Sequence, residues 1–127
     1  MYVQYNANPD NNFSAIDCTV RAISAFLDLS WDETYIALAV EGFEKKDMPN
    51  ANSVWGSFLD RIGCHRTAIP NTCPNCYTIR DFCKSHSKGK YLLATGRHVV
   101  PVIDGKYFDT WDSGDEVPIY CWTKGEN

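Results

Sequence analysis

Along the first half of the chain, apolar residues recur at helical spacing. Val20, Ile23 and Leu27 share one face of a helix that begins at Cys18, with Asp17 placed to cap it. A second helix is predicted from Ser30, because Ser30-Trp31-Asp32-Glu33 has the capping-box spacing. It should turn Tyr35, Leu38 and Ala39 inward and stop at Gly42. The charged stretch from Glu44 to Asn52, interrupted by Pro49, reads as a surface loop. A third helix from about Ser53 carries Val54, Trp55, Phe58, Leu59 and Ile62, and Gly63 ends it.

The second half changes period. After a loop around Cys73 and Cys76, a short helix runs from about Thr78 to Ser85, closed by Gly89. Strand-like runs follow at Tyr91 to Ala94, His98 to Ile103, Lys106 to Trp111 and Ile119 to Thr123. Asp104-Gly105 between two of them is a strong hairpin signal. Helices first and a strand meander afterwards predict an α+β fold, its N-terminal helices packed against a C-terminal antiparallel sheet. One domain over residues 1–127 is expected.

Composition narrows the classes. A hydrophobic content of 44% with 13% aromatics is that of a globular protein and not of a disordered chain. The net charge of −4 leaves no basic stripe for nucleic acid. The opening Met1 to Asp10 is polar, unlike a secretory leader, and the longest apolar run, Ile36 to Val40, is too short to span a membrane. A cytoplasmic protein is the expectation, and in a reducing compartment its six cysteines should be thiols: fillers, metal ligands or nucleophiles.

One cysteine sits where chemistry favours it. As the first residue of a helix, Cys18 lies in the positive end of the helix dipole, which lowers a thiol pKa. Its backbone N–H has no intrahelical acceptor and is available to a developing oxyanion. A two-residue turn at Asp104-Gly105 sets His98 opposite Trp111 and Val100 opposite Asp109, so Asp109 lies diagonally from His98 on the same face. A carboxylate orienting an imidazole that activates a thiol is nucleophile–base–orienter chemistry. Pro101 complicates the register, since it lacks an N–H; a bulge there would make Asp112 the orienting acid instead. Arg21 stands near the nucleophile, either to pair with Asp17 or to contact substrate.

These pieces resemble a papain-type peptidase, with a cysteine opening the first long helix and a histidine on a later strand. Asp109-Thr110-Trp111 resembles the Asn-Ser-Trp element of that family, with aspartate in place of asparagine, which favours Asp109 over Asp112. More narrowly, Asp17-Cys18-Thr19-Val20-Arg21-Ala22-Ile23, followed by His98-Val99-Val100 and Asp109-Thr110-Trp111-Asp112, is similar to small papain-like proteins encoded in phages and prophages of gut Gram-positive bacteria. The similarity runs from Asn6 to about Trp122. It implies a reduced papain-like fold in the host bacterial cytoplasm and a catalytic triad of Cys18, His98 and Asp109, but it names no substrate; a peptide or protein is the substrate expected of such a hydrolase. The family's oxyanion glutamine, six residues before the nucleophile, falls on Asn12, with Asn6, Asn8 and Gln4 as rivals. The Cys-Gly-Ser-Cys-Trp surroundings of papain itself are absent here.

Cys73-Pro74-Asn75-Cys76 has the shape of a metal knuckle, and Cys83 and His86 follow at helical spacing, making four zinc-type donors. The short return from Tyr77 argues against a closed site, and no cofactor or metal is expected. A redox CxxC lacks its βαβ context. His65 reads as a surface strand residue, Cys64 and Cys121 as buried thiols, and Trp55 and Trp122 as core. A cysteine hydrolase of an amide, peptide or isopeptide bond is therefore the leading expectation. An inactive papain-like module that binds a host protein, or a zinc-stabilised interaction domain, are the alternatives.

Overall fold

The computed structural model describes residues 1–124. In chain order the elements are β1 (Tyr2–Gln4), α1 (Cys18–Leu27), α2 (Trp31–Lys45), α3 (Asn52–Arg61), β2 (His65–Ala68), α4 (Ile79–Ser85), β3 (Lys90–Ala94), β4 (Val99–Ile103), β5 (Lys106–Asp109) and β6 (Tyr120–Thr123). All strands join one sheet in the order β1-β5-β4-β3-β6-β2. The fold is α+β, as expected, but the sheet is mixed: β1 runs parallel to β5, and only the other pairs are antiparallel. Among the described residues, no helix is long and apolar enough to cross a membrane.

Alternation along the strands divides the core in two. Leu92, Ala94, Val99 and Trp122 face α1–α3, meeting Val20, Ile23, Phe26, Leu38, Trp55 and Leu59. Leu93, Val100, Val102, Tyr107 and Cys121 face the other way, where Ile79, Phe82 and Cys83 of α4 cover them. Helices thus pack on both faces of the sheet. Each large side chain so buried contributes roughly 1.5–3 kcal/mol of transfer free energy.

The hairpin forms in the expected register, with Val102 opposite Tyr107 and Ile103 opposite Lys106. Asp104 and Gly105 both take positive φ, 50° and 78°, as a two-residue primed turn requires. Pro101, opposite Leu92, stays in the ladder with β3.

Three local expectations change. Asp17 holds the N-cap position of α1 but makes no side-chain capping bond. Gly42 does not stop α2, which continues to Lys45. A Cβ there would sit 2.6 Å from the Asp47 carbonyl oxygen, so the glycine instead lets the following loop fold back. On α2 itself, Leu38 is buried, but Tyr35 is 45% exposed, and the inward face is completed by Thr34 and Glu41. These polar residues are buried because they are partnered. Thr34 Oγ1 donates to the Ser30 carbonyl and accepts from Ser24 Oγ, while Glu41 accepts from Arg61 and Ser57.

Candidate active site

The N-terminus of α1, the start of β4 and the end of β5 meet at one end of the sheet. Cys18 and His98 line the same open cleft there, about 360 Å³ in volume, together with Phe13, Ile16, Arg97 and Trp111. A larger cavity of about 520 Å³ lies between α3, β2 and β6, but Cys18, His98 and Asp109 do not line it.

His98 is fixed from two sides. Its Nε2 lies 2.6 Å from Oδ2 of Asp109, and its ring leans on Trp111 with centroids 5.1 Å apart. With Nε2 engaged, Nδ1 is the nitrogen left for the thiol. Asp109 is 3% exposed and fully used: Oδ2 also accepts from Ser113 Oγ at 2.6 Å, and Oδ1 accepts from the Thr110 N–H at 2.8 Å. Burial pushes the Asp109 carboxyl up, yet the His98 and Ser113 hydrogen bonds, the His98 charge and the Thr110 N–H outweigh it and hold the carboxyl below its ordinary value.

The thiol and the imidazole are coupled. Burial raises the Cys18 thiol, but a hydrogen bond with His98, the imidazolium charge, the Val99 N–H and Arg21 together bring it below the ordinary thiol value. Burial acts the opposite way on His98, and the bonds to Asp109 and Cys18 overcome it, pushing the imidazole up to about 9. Both shifts favour a thiolate–imidazolium pair at neutral pH. Elsewhere, burial raises the Cys83 thiol and pushes Cys121 up to about 11.

Behind the cleft a buried network carries the ends of α1 and β5. Arg21 Nη1 donates to Asp17 Oδ1, and Arg21 Nη2 lies 3.5 Å from Asp109 Oδ1. Asp17 Oδ2 takes the Trp31 Nε1–H at 2.9 Å and the Asn8 amide at 3.2 Å. Arg21 therefore pairs with Asp17, the first of the two roles open to it. Sequence reasoning missed Ser113, Trp31 and β1, whose continuation at Tyr5 donates its N–H to the Asp109 carbonyl. The Asp17–Arg21 spacing of four is the one signal that pointed to this network.

Other expected residues stand elsewhere. Asp112 accepts from the Tyr107 hydroxyl and the Gly114 N–H and pairs with Arg80, so it is not the acid on His98. Asn12 is exposed, its carboxamide oxygen accepts the Ser14 N–H, and it does not line the cleft. Asn12 is therefore not placed to hold an oxyanion at Cys18, because it stands outside the cleft in a loop that its own carboxamide oxygen helps to shape. Of the rivals, Asn8 is committed to Asp17 and Gln4 is an exposed strand residue, whereas Asn6 accepts the Asn8 N–H through Oδ1 and its buried Nδ2 has no hydrogen-bond partner among the described residues.

The four zinc-type donors do not assemble. Cys73 and Cys76 are joined by a disulfide, which corrects the expectation of thiols throughout. Cys83 is buried in the core, and His86 Nδ1 lies 3.0 Å from the Phe82 carbonyl with its ring stacked on Phe82. Among the described residues no three His, Cys, Asp or Glu side chains gather as a metal site. His65 lies exposed on β2, while Cys64, Cys121, Trp55 and Trp122 are buried. Compared with known proteins, the chain matches no family model, no curated protein and no solved structure.

Proposed function

We propose that this chain is a papain-like cysteine hydrolase acting on an amide, peptide or isopeptide bond of a peptide or protein substrate. The observation that carries the reading is the short His98–Asp109 contact, which leaves the free ring nitrogen for a thiol at a helix N-terminus. In this reading Cys18 is the nucleophile, His98 the acid and base, and Asp109 the residue that orients the ring.

The steps follow from the charge states. The Cys18 thiolate attacks the carbonyl carbon, and the developing oxyanion is held by the Cys18 N–H at the start of α1. The C–N bond then breaks, and the His98 imidazolium gives its proton to the departing amine. Neutral His98 next takes a proton from water, whose oxygen attacks the thioester. The acid leaves, and the sulfur departs with the bonding electrons as thiolate beside a restored imidazolium. Trp111, leaning on the ring, screens the His98–Asp109 bond from water.

The test is a digest of a peptide library by the purified chain, with new termini read by mass spectrometry. Cleavage that vanishes in Cys18→Ala and falls at least about a hundredfold in His98→Ala is expected, the usual size of an acid–base contribution. Cleavage that survives in Cys18→Ala would sink the reading.

A further inference from the structure

The cleft at Cys18 carries one charged side chain that has no ion-pair partner among the described residues. Of its ionised lining groups, Asp17 and Arg21 neutralise each other, and Asp17 is further saturated by Trp31 and Asn8. The His98 imidazolium faces Asp109 on one side and Cys18 on the other. Arg97 is different. It precedes His98, is exposed on the cleft wall, and has no hydrogen bond, ion pair or ring partner among the described residues.

The same cleft is edged by large apolar side chains. Phe13 is 53% exposed, Ile16 91% and Trp111 47%, all lining the space in front of the thiol. Apolar surface gathered around a nucleophile is surface a ligand covers.

Resting on the cysteine-hydrolase reading, we propose that Arg97 is the specificity-determining residue of this cleft. It selects peptide-class acyl donors that carry a carboxylate beside the scissile carbonyl and an apolar side chain laid across Phe13, Ile16 and Trp111. A guanidinium offers a planar fork of donors that matches a carboxylate bidentately. The chain as a whole carries −4 and repels anions, so an unpaired cation at the site decides which acidic groups settle there.

Two alkylating agents of nearly equal size read this directly. Iodoacetate and iodoacetamide react by the same step: the sulfur–carbon bond forms and iodide leaves with the electron pair. They differ in charge. The measured quantity is the ratio of their rates at Cys18, mapped by mass spectrometry and divided by the same ratio for free cysteine. In Arg97→Gln the ratio is expected to fall about threefold, the size expected of one exposed charge several ångströms away. Arg97→Lys should keep most of it, and added salt should lower it in the native chain. For the apolar edge, Ile16→Ser should lower the rate of N-benzylmaleimide relative to N-methylmaleimide. An unchanged charge ratio in Arg97→Gln, with Cys18 still the fastest thiol, overturns this inference and leaves the nucleophile standing. A Cys18 slow toward both reagents in the native chain removes the hydrolase reading and this inference with it.

Discussion

His98 Nε2 and Asp109 Oδ2 lie 2.6 Å apart although the two residues stand eleven positions apart in the chain. The hairpin turn at Asp104-Gly105 creates that proximity, and Ser113, Thr110 and Arg21 hold the carboxylate in place from behind. Replacing Asp109 by asparagine keeps the shape and removes the charge. The imidazole should then titrate nearer its ordinary value, and Cys18 alkylation at neutral pH should slow about tenfold, equivalent to one pKa unit. NMR titration of the His98 ring checks the first outcome and timed alkylation the second. A ring that titrates unchanged in Asp109→Asn would show that the carboxylate does not control it.

Stability should follow pH with a definite sign. His98 is raised to about 9, so its contribution is fully present below the unfolded value of about 6.5 and is lost as pH rises through about 9. Asp109 is lowered, so its contribution is present above the unfolded carboxylate value and is lost as pH falls through the folded one. The Cys18 thiol, also lowered, has the acid-type slope and partly masks the imidazole between neutral and alkaline pH. In Cys18→Ser the thiol titration is gone, together with the part of the His98 shift that Cys18 supplies, so the urea midpoint should fall from about pH 6.5 upward and level off below pH 9. The same decline should disappear in Cys18→Ser combined with His98→Ala. A decline that persists there would assign it to another group.

The elements that carry the site were legible because each rests on local chemistry. The capping box at Ser30, the turn at Asp104-Gly105 and the apolar spacing of α1 act within a few residues and survive into the fold. What could not be read depends on distant partners. Tyr2–Gln4 becomes a strand only because β5 offers it a parallel edge, and three residues have no periodicity to show. Asp17 reads as a cap by position, but a buried arginine one turn later claims its carboxylate. Asn12 was placed by counting back from the cysteine, and such counting cannot see that its loop, shaped in part by the Asn12 carboxamide oxygen, keeps it out of the cleft.

Asp17 should matter to the fold more than a surface acid would. It takes donors from Arg21, Trp31 and Asn8, and Arg21 is only 7% exposed. Asp17→Ala strands the guanidinium with Asp109 3.5 Å away as its remaining carboxylate. A loss of about 3 kcal/mol is expected, in the range for breaking a buried ion pair by removing one partner. Urea denaturation measures it, and a loss below about 1 kcal/mol would mean that the network is peripheral to the fold.

On α2 the apolar residues are not equally important. Ile36 and Phe43 are 62% and 73% exposed, while Leu38 has no exposure. Phe43→Ser should change stability by no more than about 0.5 kcal/mol, whereas Leu38→Ala should cost about 3 kcal/mol. Equal losses at the two positions, read from denaturant midpoints, would contradict the orientation of this helix.

The thiolate–imidazolium pair is most directly tested by the pH dependence of alkylation at each cysteine. With the protein folded, iodoacetamide labelling from pH 4 to 10 would be resolved residue by residue by mass spectrometry. Cys18 should react fastest and keep its rate below the ordinary thiol range. Cys83 and Cys121, raised by burial, should react only at alkaline pH or after unfolding. His98→Ala should move the Cys18 profile upward toward that of an ordinary thiol. A Cys18 profile that already has the ordinary thiol midpoint, and that His98→Ala leaves where it was, would contradict the pair and the hydrolase reading built on it.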